Sequence, residues 1–572
     1  MLVVLWEACF SGLATGPSEL FKFLESTHLL LCAVVWFNTL TVLIHFFSKL
    51  IHRKRPGRFL WWQLAVGLAA SYVFYGGIWK VLPAEFFRVS IVLSFVIGIF
   101  SCITIVALWK ERSRQTSPRS KSDWSPAVIF FTWMIAFILI STMLLLTPGA
   151  TKEPISFTDA FFTCASAISI TGLTCVDVAS TFTPLGKIVL LIDIQIGAMG
   201  VMTFSYFVLL MVGKQLAVRD RVAISSLLDQ QGVNVIPALI KAVIFITFSV
   251  ELIGAGILYM LWKGAPGVPQ DNLWFLALFH AVSAFCNAGI SLFPQNMAEA
   301  CVAHDKAVQG IMMLLTLAGT LGFSVYLEAL TRLRNRLTGK RNPIRWHTHS
   351  WLVVRVTLIV MGVGTIGLAL LAALEPSAHL QSADYDLWES LWNTIGRSAG
   401  FTITDISTYG QGYHLFLCLL MFVGGNPAGT GGGVFAPVVA LCILEVLRVL
   451  RGQQDLELHG RRIARNTVER AMATVVLSTF WIFAGTMLLT LAEPTIAQSV
   501  NGTIKLLFLE ISAYTTTGYS IVNPAELSDF SKFFISANMI FGRVGMFTFM
   551  LIFIKQKEPS PLRYPETRLP LT

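Results

Sequence analysis

The chain has 572 residues, of which 55% are hydrophobic and only 13% charged, and its mean hydropathy is +0.69. Soluble domains carry about one charged residue in four, so the composition excludes a water-soluble enzyme, a disordered chain and a coiled coil. The net charge of +10 is no nucleic-acid footprint, because the basic residues gather between apolar runs, as membrane topology requires.

The opening stretch, MLVVLWEACFSGLATG, lacks a basic leader and carries Glu7 within its apolar part, unlike a cleaved signal. Apolar runs follow at residues 28–48, 60–82 and 89–109. Each has the length of a helix that crosses about 30 Å of hydrocarbon and is far longer than the ten or so alternating residues of a barrel strand. A polar, serine-rich linker, KERSRQTSPRSKSD, ends this N-terminal extension at residue 123. From Trp124 a full span alternates with a shorter half-polar segment, ending in small residues and a glycine, and then a second span. Four such rounds are expected, at 124–231, 232–346, 347–466 and 467–555, before a tail at 556–572.

The half-polar segments repeat. They read SAISITGLT, SAFCNAGIS, TIGRSAGFT and SAYTTTGYS around Gly172, Gly289, Gly400 and Gly518, at intervals of 117, 111 and 118 residues. Six residues before each glycine stands a hydroxyl residue: Ser166, Ser283, Thr394 and Ser512. Leu173, Ile290, Phe401 and Tyr519 follow the glycines directly, and then come Thr174, Ser291, Thr402 and Ser520. Ten residues before the glycine, Phe162, Phe279 and Phe508 agree while Ser390 departs. Four copies in phase mark an internal repeat.

Charge sets the topology. Of the 42 Lys and Arg residues, 29 fall in six clusters at 49–58, 110–121, 214–221, 332–345, 448–470 and 555–568. All six share one side if each round crosses twice and its half-polar segment dips in from the other. The positive-inside rule makes that side cytoplasmic. Eight core spans and three leading ones then put the N-terminus outside and the C-terminus inside. The nine cysteines show no paired spacing, so neither a disulfide framework nor a zinc site is expected. His280 has no second ligand at metal spacing, and neither a nucleophile elbow nor an HExxH motif occurs.

A dipping segment such as residues 156–170 is too short and polar to span lipid, and irregular backbone at membrane depth is tolerated only around a protein-lined path. The C-terminal end of a half-helix favours a cation. A glycine after it lets successive carbonyl oxygens turn inward and replace a hydration shell. No Asp or Glu adjoins any of the four glycines, which disfavours a carboxylate ring for divalent ions; Asp177 and Asp405, just beyond, read as solvated loop carboxylates. GGNPAGTGGG, at 424–433, interrupts the second span of the third round with six glycines and a proline, a composition that cannot remain a regular helix. A break there, below the glycine segment, is where a movable barrier would sit. Arg543 is a lone cation inside the last apolar span, a functional residue by default. An alternating-access transporter predicts inverted repeats and a mid-membrane coupling acid; all four repeats here share one orientation and Glu251 is the one conspicuous acid within a core span, which disfavours that reading.

SAISITGLTCVD, CNAGIS, RSAGFTITD and SAYTTTGYS together resemble the four pore loops of the Trk/Ktr/HKT superfamily of potassium transporters, in particular the TrkH/KtrB type, over residues 124–555. The resemblance implies an all-α polytopic membrane protein with four M1–P–M2 repeats around a central pore, plus three extra N-terminal transmembrane helices. It implies a potassium filter at Ile170, Thr171, Gly172, Leu173, Asn287, Ala288, Gly289, Ile290, Ser398, Ala399, Gly400, Phe401, Thr516, Thr517, Gly518 and Tyr519. The gate would comprise Gly424, Gly425, Asn426, Gly429, Thr430, Gly431, Gly432 and Gly433, with Arg543 as an electrostatic barrier beneath the filter. Members with Ser at the first glycine tend to favour sodium, and Gly172 fits the potassium pattern. A homodimer, a cytosolic nucleotide-binding ring of TrkA/KtrA type and a bacterial cell membrane are implied, with no covalent cofactor and no nucleic acid. Arg397 fits the family's Arg-x-Ala-Gly pattern and would support its loop from behind. Val434 and Phe435 stand where Ile-Lys is common, Asn426 and Pro427 where small or hydroxyl residues are usual, and Tyr519 where an aliphatic residue is common. A sodium-permeable or weakly selective transporter is the alternative reading.

Overall fold

The computed structural model describes residues 126–147, 149–200, 236–338, 347–374, 387–427, 429–545 and 550. The three leading spans, the linker and the C-terminal tail lie outside the described residues.

Within them the chain is almost entirely helical and repeats one pattern four times. A first helix is followed by a short helix, a glycine-bearing loop and a second helix. The first helices are α1 (Pro126–Leu145), α4 (Ile236–Trp262), α8 (Thr348–Leu374) and α12 (Arg465–Ala492). The short ones are α2 (Phe157–Ser169), α5 (Leu273–Phe285), α9 (Leu387–Gly396) and α13 (Gly502–Tyr514). The second helices are α3 (Pro184–Met199), α6 (Lys306–Leu321), α10 (Gln411–Phe422) and α14 (Asp529–Val544). Past Gly322, α7 (Phe323–Leu337) leaves α6 at 95°, and past the third-round loop comes α11 (Ala436–Leu450).

Local signals place the helix starts. Ser156 caps α2 by accepting the Asp159 N–H, Thr183 with Pro184 opens α3, Asp305 accepts the N–H groups of Ala307 and Val308 for α6, and Ser528 caps α14. The layers follow from hydrophobicity. Among the described residues, Val243–Trp262, Thr348–Leu374 and Arg465–Ala492 are long and apolar enough to cross a membrane, and α6 with α7 makes a fourth if the bent pair is one span. No more than a third of each long span is buried inside the protein. Phe245, Met260, Leu358, Ile366, Phe480 and Met487 point outward, which suits a helix whose solvent is lipid. The short helices form the interior instead: Phe162, Phe279 and Phe508, the repeated phenylalanines, are fully buried, as is Ser390 in their place.

The four units close on one another. Each second helix packs against the short helix of the next unit: α3 on α5, α6 on α9, α10 on α13, and α14 back on α2. At that last contact Lys532 Nζ lies 2.8 Å from Asp159 Oδ1, joining residues 373 positions apart.

The second helices differ from the sequence expectation of a break only in the third round. α3, α6 and α14 have 16 residues each and end at Gly200, Gly322 and Gly545, all with positive φ. Sixteen residues reach about 24 Å, short of a full crossing. A single glycine in an apolar run costs only about 1 kcal/mol in a helix, so the sequence signal was weak.

At the far end of α12, Glu493 accepts both the N–H and the hydroxyl of Ser528, at 2.8 and 2.5 Å. Burial pushes its carboxyl up, but these bonds and the Ser531 hydroxyl outweigh burial and hold it below the usual glutamate value. A depressed carboxyl stabilises the fold fully above its unfolded value and loses that contribution as pH falls through the lowered one. In detergent, the melting temperature of the parent should therefore exceed that of Glu493→Gln at pH 7, and the gap should close on acidification below about pH 4.3.

Candidate functional site

The short helices end in the same way in three units. Two residues before the glycine, Ile170, Asn287 and Thr516 adopt left-handed backbone, with φ of 61°, 59° and 53°. The next N–H groups, of Thr171, Ala288 and Thr517, return to the carbonyls of Ser166, Ser283 and Ser512 at 2.8, 2.8 and 2.9 Å, closing a Schellman-type turn. For Ile170 and Thr516 the conformation costs about 1–2 kcal/mol each, so surrounding packing holds it. α9 closes differently, with the Ala399 and Gly400 N–H groups both on the Gly396 carbonyl. The glycines then take φ of 93°, 66°, 76° and 95°.

The repeated hydroxyl residues have distinct uses. Ser166 and Ser512 accept the N–H of Gly172 and Gly518 at 3.0 and 3.1 Å, drawing those amides back toward the helix. Ser283 donates instead to the Ile290 carbonyl at 2.7 Å, and Thr394 only to its own helix at Ser390. Leu173, Ile290, Phe401 and Tyr519 are all buried. The Tyr519 hydroxyl donates to the Asn393 and Phe401 carbonyls at 3.3 and 3.4 Å, strapping the fourth segment to the third.

The four glycines form a closed cycle. A methyl group built on Gly172 would stand 2.6 Å from the Ala288 carbonyl oxygen and 3.2 Å from the Gly289 Cα. On Gly289 it would meet the Ala399 oxygen at 1.9 Å, on Gly400 the Thr517 oxygen at 2.4 Å, and on Gly518 the Thr171 oxygen at 2.1 Å. Each segment thus lies against the next, and the fourth returns to the first. All the residues expected at the filter, from Ile170 to Tyr519, fall within this ring of segments.

The third-round loop packs directly against the ring. Its ends are stitched together by Gly424 N–H to Val434 O and Gly425 N–H to Gly432 O, at 2.8 and 3.1 Å. Asn426 donates to the Thr320 carbonyl and the Thr357 hydroxyl, at 3.0 and 3.1 Å. A methyl group on Gly429 would meet the Thr320 oxygen at 2.8 Å, on Gly432 the Thr516 hydroxyl at 2.2 Å, and on Gly433 the Thr515 Cα at 3.0 Å. Gly431 lies against Gly425. Thr430 is held by every polar group it has. Its N–H donates to Gly319 O at 3.0 Å, its hydroxyl to Phe285 O at 3.0 Å, and its carbonyl accepts Arg543 at 2.6 Å. Arg543 also donates to Gly197 O at 2.8 Å, so both of these partners are neutral carbonyls. Arg397 donates to the carbonyls of Leu420 and Val423 at the end of α10, where the loop begins.

One further side chain belongs here that the sequence does not flag. Asn296, in the loop after α5, donates to the Gly400 carbonyl at 3.4 Å. Asn287 donates to the Thr430 hydroxyl at 2.5 Å. Asp177 and Asp405 cap the short turns Val178–Thr181 and Ile406–Thr408, and His280 is buried between the Leu276 carbonyl and Ser291. Glu251 is not the lone acid in the core. Asp193 on α3 and Glu510 on α13 are buried as deeply, at 2% and 0% exposure against 1%. Both are tied to fixed partners, Asp193 to the Ser141 hydroxyl at 2.5 Å and Glu510 to the Asn538 amide at 2.8 and 2.9 Å. Their inward-facing helix positions, which composition does not reveal, hid them.

Comparison with known proteins gives one consistent relationship. A family model described as TrkH, cation transport protein, matches residues 91–562. The Ktr system potassium uptake protein B of Bacillus subtilis is 30% identical over 446 residues, covering 77% of this chain and 96% of that protein. The potassium/sodium uptake protein NtpJ of Enterococcus hirae is 26% identical over 465 residues, covering 79% and 98%. The crystal structure of the potassium transporter TrkH from Vibrio parahaemolyticus superposes with a TM-score of 0.60 at 17% identity, over 93% of this chain and 98% of that one. At that identity the structural likeness speaks for the fold alone.

Proposed function

The chain belongs to the TrkH family of cation transport proteins, and on that premise we propose that it carries potassium down its electrochemical gradient through a pore formed by four M1–P–M2 repeats. It is a transporter and not an enzyme. The repeats are residues 124–231, 232–346, 347–466 and 467–555, behind an N-terminal extension with three further helices at 1–123. The ring segments around Gly172, Gly289, Gly400 and Gly518 are the selectivity filter, residues 424–433 are the gate, and Arg543 is the barrier below it. The chain sits in a bacterial cell membrane with its basic loops and C-terminus in the cytoplasm.

One observation carries this reading: four glycine backbones from four copies of one motif lie against one another in a cycle. The short helices end at that cycle, so their partial negative ends converge where a cation would pass. Backbone oxygens replace its hydration shell there, while the buried Leu173, Ile290, Phe401 and Tyr519 brace the segments from behind. A homodimer and a cytosolic nucleotide-binding ring of TrkA/KtrA type are proposed as partners. The word "system" in the relatives' names fits an assembly of more than one component. The likeness to NtpJ, whose name includes sodium, favours a sodium-permeable transporter as the second reading.

Expression in a bacterium lacking its own potassium transporters should restore growth at low potassium and drive rubidium uptake. No restored growth, with the protein present in the membrane, would sink the reading. Sodium uptake as fast as rubidium uptake would decide for the second one.

A further inference from the structure

The backbone oxygens of the ring differ from level to level. One residue before the glycines, the carbonyls of Thr171, Ala288, Ala399 and Thr517 accept no hydrogen bond among the described residues. At the glycines, Gly400 O accepts the Asn296 amide at 3.4 Å, while the oxygens of Gly172, Gly289 and Gly518 have no donor there. One residue after, Ile290 O accepts the Ser283 hydroxyl at 2.7 Å and Phe401 O accepts Trp392 Nε1 at 2.9 Å. Leu173 O and Tyr519 O, at the same level, have no donor among the described residues. The tied oxygens turn back into the protein. Ser283 and Trp392 stand on the short helices α5 and α9, behind their segments, at 0% and 2% exposure. Ser166 and Ser512, in the place of Ser283, reach their segments from that same side. Leu173 and Tyr519 are buried as well, and a buried carbonyl without a donor needs another partner, which a passing cation supplies.

We propose that Ser283, Trp392 and Asn296 are positioning residues that withdraw three carbonyls from the pore, so that an entering alkali cation exchanges water for two, then three, then four backbone oxygens. This rests on the pore reading above and goes beyond it, since four copies of one motif would otherwise be expected to coordinate alike. Dehydration is then gradual, and the ion is fully stripped and selected at the level of Thr171, Ala288, Ala399 and Thr517. At the outermost level the cation leans toward the seam between the fourth and first segments, which adjoin at Gly518 and Thr171. It keeps water on its other side, so that it binds there weakly enough to move on.

The test measures uptake against external rubidium concentration in a bacterium that lacks its own potassium transporters and expresses the full chain. Ser283→Ala removes the donor on Ile290 O and lets that carbonyl turn to the ion. Its KM should fall about fivefold, the scale of one hydrogen bond. Its maximal rate should fall too, because a tighter outer site passes the ion inward more slowly. The ratio of rubidium to sodium uptake should stay within about twofold of the parent, since the four-oxygen level is untouched. Asn296→Gly frees Gly400 O, and glycine adopts the φ of 56° found there without strain. Its KM should fall likewise, and it carries the test if Ser283→Ala does not fold. In a rubidium anomalous map of the purified parent, the outermost ion should lie nearer Leu173 O and Tyr519 O than Ile290 O and Phe401 O. A KM that is unchanged or raised in both variants, or an outermost ion equidistant from all four oxygens, would overturn the withdrawal. A parent protein that passes no rubidium would instead overturn the pore reading, and the withdrawal with it.

Discussion

Gly289→Ala should reduce rubidium uptake by about a hundredfold or more, whereas Gly256→Ala on α4 should leave it within about twofold. The added methyl at Gly289 would sit 1.9 Å from the Ala399 oxygen and 3.0 Å from its carbon, both backbone atoms that no rotamer change can move. To this is added φ of 66°, which an L-residue adopts at about 1–2 kcal/mol, and overpacking of about 1–3 kcal/mol. The only relief is to displace the third segment, and the ring with it. Gly256 has no heavy atom within 4 Å of the same methyl. Gly172 stands between these extremes, with 2.6 Å to the Ala288 oxygen. Gly172→Ser should therefore still conduct but lose potassium-over-sodium preference, read from reversal potentials. Normal uptake by Gly289→Ala would show that ions do not pass through the ring.

Arg543→Ala should raise basal cation flux by about two orders of magnitude in the absence of any cytosolic activator. The guanidinium is held by Thr430 O and Gly197 O, neutral acceptors that leave its field largely intact. At an effective dielectric of about 20, a monovalent cation about 5 Å away meets repulsion of roughly 3 kcal/mol, equivalent to about a hundredfold in rate. Truncation also frees the Thr430 carbonyl and loosens the loop, which acts in the same direction. Arg543→Lys keeps the charge with different hydrogen-bond geometry and should stay near the parent rate. Flux that is unchanged or lower in Arg543→Ala would assign the residue a structural role.

What the sequence made legible was the repeated pattern, because its reasons are local. Ser166 and Ser512 recur six before the glycine since each accepts that glycine's N–H, and Phe162, Phe279 and Phe508 recur since each fills the same buried position. What it concealed depends on neighbours distant in the chain. Nothing in the letters Ile170 or Thr516 announces left-handed backbone; the surrounding packing imposes it. Asn287 reads as one member of CNAGIS until Thr430, 143 residues later, is placed beside it. Asp193 and Glu510 do not stand out beside Glu251 in the sequence, because the groups that hold them, Ser141 and Asn538, lie on other helices. The helix ends at Gly200, Gly322 and Gly545 were hidden for a different reason, since one glycine weighs little in a mostly apolar stretch.

The Lys532–Asp159 contact spans 373 residues and has a consequence for biogenesis. Asp159 leaves the ribosome early, and its counter-ion is made only after nearly the whole protein. Until then the nascent assembly has an unsealed flank, with α2 lacking the helix that will cover it. A chain released before residue 532 lacks both the cation that faces Asp159 and the complete helix that packs on α2 to close the cycle of four units.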